Sequence, residues 1–460
     1  MKKISIFACI YIYIARSVWS IFHICPSVNF SSNYSSTTTN VYAISSQSFI
    51  KNPYISHLPG ITPETIETCS RLLQHNHEHY HIFFNSERRF HNHATHYLLA
   101  ALGLGASSHT LEHIYEQQKQ IQQPIRPFHD NKDFDVNKCL GDENYYGNYL
   151  EFFKKELEGE KYHGKVEDLI EDYLFNKDYL DLVFNGAYHP FIHLGYALEF
   201  QVKIMAVEGL AMAAIDRVNV KDVLKHLNYD QNKDGNKTAL DIIELIIKDQ
   251  RFDDKVFYND EATKVDKLLE RGGGPLIAEY AQMWKCDLDD LRRASVLVNA
   301  AVIRPKKALR LDFFLMHATT SGLFLDIFVH SLKKKENQLK FLKAKFAVDL
   351  LYYAARGRPQ LNVNYLLNEY QPSKEHLYSD AQNPWLPLID KCLTHRDTHL
   401  VKTIRVLVYA EKFDGAQEKD KMSYLKIAQM TMDALFPADK KQWSHDGVGW
   451  GEYWKTVKDS

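Results

Sequence analysis

The sequence predicts one large, irregular all-α domain with few or no strands. Three observations carry this: apolar residues recur at helical spacing along most of the 460 residues, period-two alternation is almost absent, and caps and breakers bracket segment after segment. No repeat of fixed period appears, which disfavours a regular solenoid. A two-lobed helical body is the lesser alternative.

Taken in order, residues 1–50 are expected to stand apart from the domain. Lys2-Lys3 precede an apolar run from Ile4 to Ala15, then Arg16, then Val18 to Cys25, the pattern of a signal peptide or short membrane anchor. Arg16 interrupts it too early for a clean span, and no small-x-small cleavage site stands out. Residues 29–50 are rich in Ser, Thr and Asn and read as a linker. The helical domain is then expected over 51–460.

Thr62-Pro63-Glu64 opens its first helix with a cap, a first-turn proline and an early acid, and Ile66, Cys69, Leu72 and Leu73 form the buried stripe. A helix from His93 to Leu102 ends at Gly103-Leu104-Gly105, and Ser107 caps another that runs towards Gln123 before Pro124 and Pro127. Helical patterns follow over roughly 145–158, 164–175 and 178–187. Pro190 starts a long apolar helix reaching about Val218. The theme repeats near 238–249, 275–283, 287–303, 309–332, 337–356, 397–413 and 422–435.

Hydrophobic residues make up 45% and charged residues 25%, as in soluble globular chains. A net charge of −2 gives no electrostatic argument for nucleic acid. Six cysteines lack any C-x-x-C spacing, which excludes a zinc ribbon or thioredoxin-like site and fits a reducing, cytoplasmic compartment for the domain. With 27 Tyr and 25 Phe the core is expected to pack on rings, and a pocket for a flat aromatic ligand is the sharper reading.

Four polar clusters interrupt otherwise apolar helical stretches: Asn92-His93-Ala94-Thr95-His96, His189-Pro190-Phe191-Ile192-His193, His317 within 313–324, and Asp397-Thr398-His399 with Lys402. Buried imidazoles are costly unless each finds a hydrogen-bond partner or a metal, so clusters on separate helices ask for one shared polar pocket. His93 and His96 are three apart, and His189 and His193 four apart, so either pair can reach one metal from a single helix. Singly, each pair is more often structural than ligating, and His317 alone would be a satisfied core histidine. Lys402 shares a face with His399 and would be depressed in pKa or chemically modified if it points inward, or would snorkel to solvent. Glu199 and Glu208, inside the apolar helix, are candidates to hydrogen-bond the histidines and fix which ring nitrogen faces a metal. A plain salt-bridge role is equally open.

Two motifs are decoys. The segment 230–236 with Asp241 mimics a calcium loop, but Lys237 stands where an apolar residue belongs and the last ligand is Asp rather than Glu. Gly272-Gly273-Gly274-Pro275 lacks the Lys-Ser/Thr of a phosphate loop and reads as a turn. No G-x-G-x-x-G follows a strand, so a built-in flavin or nicotinamide fold is not expected.

The segments 90–107, 186–199 and 206–211, then 314–321, and finally 397–402 with Arg405, resemble the questin oxidase-like family over roughly residues 55–455. That resemblance implies an oxidoreductase of fungal polyketide pathways that opens the quinone ring of an anthraquinone with O2, in some members as an NADPH-dependent Baeyer–Villiger oxidation. It also implies a non-haem Fe(II) held by several histidines and a carboxylated lysine. Carried onto this chain, the metal candidates are His93 or His96, with His189, His193, His317, His399 and Lys402, of which at most five would bind; read beside it, the catalytic candidates are His96, Glu199 and Glu208. Competing expectations are a helical scaffold with a buried histidine network and a metal-dependent hydrolase. Membrane contact is expected only through the N-terminal leader.

Overall fold

Caps and breakers place most helices within a few residues of the predicted spans. The computed structural model describes residues 40–460 apart from 55–57, 126–133, 218–219, 231–234, 262, 415–421 and 438–441. The leader and the centre of the calcium-like loop lie outside the described residues. Six helices carry the polar clusters and their partners: α1 (Pro63–His79), α2 (Ala94–Gly103), α3 (His189–Phe200), α4 (Lys203–Ile215), α5 (Phe313–Gly322) and α6 (Thr398–Asp414). At α1, Thr62 Oγ1 accepts from the Thr65 N–H at 3.2 Å and Thr65 returns the bond at 2.8 Å, a reciprocal capping box. The one sheet among the described residues is a short antiparallel pair, Phe83–Asn85 with Phe90–His91.

Four of these helices close a ring. α2 packs on α3, α3 on α5, α5 on α6, and α6 back on α2. Every residue of α2 and α3 is buried or nearly so, apolar ones such as Leu98, Phe191 and Leu194 and polar ones alike. A helix that is apolar all round belongs in the centre of a core, where each buried Leu or Phe contributes about 1.5–3 kcal/mol. α4 packs on α3 and on the helix Tyr146–Glu158, and Leu288–Ala300 covers α5. Among the described residues no single helix is long and apolar enough to cross a bilayer.

Several boundaries differ from the predicted pattern. The helix expected from Pro190 to Val218 is two helices: Gln201 takes a left-handed conformation (φ 56°, ψ 37°), ends α3, and lets α4 pack against it. The span 309–332 likewise divides into α5 and Leu325–Ser331, bent by 44° just after Gly322, which lies against Ser295. Of 178–187 only the single turn Leu182–Phe184 is helical. Residues 40–50, read as the end of a linker, belong to the domain: Ser46–Lys51 is a helix and Tyr42, Ile44 and Phe49 are buried. Short apolar residues spaced among serines carry too weak a period to show this in sequence.

Candidate functional site

The approach to α3 is a left-handed turn. Gly186, Ala187 and Tyr188 have φ of 53°, 52° and 67°, a run that L-residues adopt only at a cost of about 1–2 kcal/mol each. Tyr352 supports the turn by accepting the Ala187 N–H at 3.0 Å, and Asp349 accepts the Tyr188 hydroxyl at 2.8 Å. The turn brings the Gly186 carbonyl to 2.5 Å from His189 Nδ1. A Cβ at Gly186 would collide with the Asp216 carboxylate and the His91 ring. Gly186→Ala is therefore expected to destabilise the protein by on the order of 3 kcal/mol, read as a lower denaturant midpoint at unchanged m-value.

The ring of four helices brings the predicted imidazoles together. His93 and His189 stack with centroids 4.9 Å apart, and His189 lies 5.1 Å from His317. His317 lies 5.2 Å from His399, which closes back on His93 at 4.7 Å. Lys402 is buried among them, close enough to disfavour protonation of all four. Burial, reinforced by these neighbours, holds His93, His96, His189 and His317 well below the usual imidazole range and takes His399 to about 4. The rings are therefore neutral at pH 7, and each carries one N–H and one lone pair.

Hydrogen bonding then fixes the tautomers. Carbonyl and carboxylate oxygens can only accept, so His189 donates Nδ1–H to Gly186 O, His317 donates Nδ1–H to Phe313 O at 2.8 Å, and His399 donates Nδ1–H to Asp397 at 2.9 Å. All three expose an Nε2 lone pair. That of His189 accepts the His93 Nε2–H at 2.8 Å, which leaves His93 Nδ1 facing Thr398 Oγ1 at 3.4 Å. Those of His317 and His399 are buried without a hydrogen-bond partner, as is Lys402 Nζ. Burial takes the Lys402 amine down to about 7, with Asp397 opposing the fall.

A second network begins at Glu208 on α4. Its carboxylate accepts His193 Nε2–H at 2.9 Å, His77 Nδ1–H at 2.7 Å and the hydroxyl of Tyr42. His193 Nδ1 also shares a hydrogen bond with His96 Nε2 at 3.1 Å, so both of its nitrogens are engaged. His96 Nδ1 is left buried and unpartnered. Burial works against the Glu208 anion, but His193 and His77 outweigh it and hold the carboxyl far below its ordinary value. Glu208 thus hydrogen-bonds a histidine, one of the two roles the sequence left open. Glu199 does not: it forms a buried ion pair with Arg405, which ties α3 to α6.

Sequence reasoning missed several members. His91 stacks on His189 at 4.2 Å, its rings 4° from parallel, and bonds Asp216 at 2.9 Å. His445 stacks on Phe313 at 4.3 Å, and Phe313 meets the edges of His317 and His399 at 4.9 Å each. Phe313, His445, His93 and Asp397 are half-buried, so this side of the cluster is its rim. His91 was visible beside His93 in the same motif. Asp216, Tyr42, His77 and His445 each reach the site from isolated positions that carry no periodic signal.

Among the described residues no three His, Cys, Asp or Glu side chains are already drawn into a metal-ligand grouping. The cluster as it stands is held by hydrogen bonds. Its donor chemistry nonetheless suits a first-row metal, because neutral imidazoles oriented by carbonyl and carboxylate acceptors surround an unpartnered amine. His93, His189, His317, His399 and Lys402 could hold such an ion. His193 has no lone pair to spare.

The predominantly helical body encloses a buried imidazole cluster. The questin oxidase-like family model matches residues 90–407, and the chain belongs to that family. It is 29% identical over 431 residues to the Baeyer-Villiger oxidase ptaJ of Pestalotiopsis fici, covering 85% of this chain and 93% of that one. It is 29% identical over 425 residues to the questin oxidase of Aspergillus terreus, again covering 85% and 93%. With the oxidoreductase AflY of Aspergillus parasiticus the identity is 27% over 425 residues, covering 85% and 83%. These comparisons place the chain among oxidoreductases.

Proposed function

We propose that this protein is an oxygenase that opens the quinone ring of an anthraquinone-type polyketide, at a non-haem iron held by His93, His189, His317, His399 and Lys402. The observation that carries the reading is the gathering of neutral imidazole lone pairs around a buried amine with no partner. Relatives named questin oxidase and Baeyer-Villiger oxidase supply the reaction class. Bound iron would supply activation of dioxygen.

The chain's own residues do the rest. Gly186, Phe313 and Asp397 hold the Nδ1–H of His189, His317 and His399, so that each keeps its lone pair on Nε2. His93 offers a lone pair at Nε2 once its proton sits on Nδ1, where Thr398 accepts it. Lys402 is uncharged for a large fraction of the time near pH 7, so its Nζ can add to carbon dioxide. The N–C bond forms, one N–H proton leaves, and an anionic carbamate results. His96 keeps Nδ1 free to take a proton from a phenolic substrate. At the rim, the Phe313 and His445 rings offer a flat face for an aromatic ligand.

The test is incubation of iron-loaded protein with a panel of anthraquinones under isotopically heavy dioxygen, with and without NADPH. The expected product carries heavy oxygen. One atom per product, with NADPH consumed, marks a Baeyer–Villiger monooxygenase, and two atoms without NADPH mark a dioxygenase. Turnover that continues without oxygen would contradict the proposal in favour of a hydrolase, and absence of any turnover would favour a scaffold.

A further inference from the structure

We propose that His96, His193, Glu208 and His77 form a proton path from the imidazole cluster to solvent, with His77 as its outer end. The path rests on the oxygenase reading only for the source of its proton. Three hydrogen bonds of 3.1, 2.9 and 2.7 Å link the four groups without a break, and they cross from α2 through α3 and α4 to α1. His77 is the one member that reaches water, with its side chain 21% exposed, whereas His193 and Glu208 are 1% and 5% exposed.

With His193 neutral, the Nε2–H groups of His96 and His193 point outward towards Glu208, and the His77 Nδ1–H points back to the same carboxylate from the solvent side. A proton added to His96 Nδ1 moves the Nε2–H of His96 onto His193 Nδ1, and the Nε2–H of His193 onto Glu208 Oε2. Both imidazoles end neutral in the opposite tautomer, and the carboxylate, which His193 and His77 otherwise hold well below its ordinary range, is protonated only transiently. His77 then loses the anion that favours its cation and releases one proton to water from Nε2, while its Nδ1–H stays on Glu208 Oε1. One proton enters and one leaves, and no net charge accumulates in the core.

The surroundings support this assignment. Burial works against the His77 cation, yet Glu208 raises its proton affinity above the ordinary value, with Glu78 adding to the effect and Lys154 opposing it. From the other side Tyr42 and Tyr146 face Glu208; burial keeps both phenols protonated, so neither competes for the proton. His77 and Tyr42 both precede the family-matched residues 90–407, so the outer half of the path is built by the N-terminal part of the domain. His96 and His193 stand outside the proposed metal ligands, so the path runs beside the metal site.

The experiment uses the metal-free full-length chain labelled with 15N-histidine. NMR is expected to show His96 and His193 protonated at Nε2, and His77 titrating above a free imidazole. In Glu208→Gln the His77 midpoint is expected to fall by about one pH unit or more. His77→Gln, at a partly exposed position, covers the case in which Glu208→Gln does not fold. In iron-loaded enzyme that variant is expected to lose on the order of tenfold in kcat at unchanged KM, with a larger solvent deuterium effect and recovery by added imidazole. His193 protonated at Nδ1, a His77 midpoint insensitive to Glu208→Gln, or wild-type kcat and isotope effect in His77→Gln would each overturn the path. The NMR needs no substrate, so a chain that oxidises no anthraquinone would sink the oxygenase reading and leave the tautomers to be judged separately.

Discussion

Lys402→Met is expected to make the metal-free protein more stable at pH 7 while removing its activity. In the native state burial takes the Lys402 amine from 10.5 to about 7, and no hydrogen-bond partner offsets that burial. Between pH 7 and 10.5 the unfolded chain holds a proton that the native chain lacks, so this group's contribution to stability rises with pH across that window. Below pH 7 the whole penalty is present. Each pH unit of depression costs about 1.4 kcal/mol, so replacing the amine by a thioether of similar volume should gain on the order of 3 kcal/mol. Melting curves of both proteins from pH 6 to 10 should converge towards the alkaline end, the mutant being higher at the neutral end. A variant that loses activity and gains stability marks a residue kept for chemistry. Equal melting at neutral pH would mean that Lys402 is solvated in the native protein.

Glu208→Ala is expected to be strongly destabilising, costing about 3–5 kcal/mol. It strands three donors at once, the Tyr42 hydroxyl and the N–H groups of His77 and His193, inside the core. Because the folded-state pKa of Glu208 lies far below the unfolded value, its contribution is fully present above about pH 4.5 and fades only in strong acid. The imidazole cluster acts earlier. Its members are neutral in the folded state and take up protons when unfolded, so stability should fall as pH drops below 6.5, and for His399 it continues to fall to about pH 4. Acid unfolding of metal-free protein should therefore begin in that window and persist in Glu208→Ala from a lower starting stability. Urea titrations at pH 7.5, 6 and 5 measure both effects.

Much of this was legible in the chain. Helical periodicity and caps gave the fold class, and the four polar clusters pointed to one shared centre because buried imidazoles need partners. Helix breaks were less visible. Gln201 ends α3 by adopting a left-handed conformation that nothing in its local sequence demands. The Glu208 network was hidden for a different reason: Tyr42 and His77 lie 166 and 131 residues from it in sequence, and one tyrosine in a serine-rich stretch has no period to reveal it. His193 shows the converse. Its spacing from His189 suits shared metal binding, but the ring is committed on both nitrogens to His96 and Glu208.

The most direct test of the central claim is metal stoichiometry in protein purified with Fe(II), comparing wild type with the pair His317→Ala/His399→Ala and with His193→Ala. About one iron per chain in wild type, little or none in the pair, and retention in His193→Ala is the expected result, since only the first two carry free Nε2 lone pairs. Iron retained by the pair, or wild type that binds no metal at all, would contradict it.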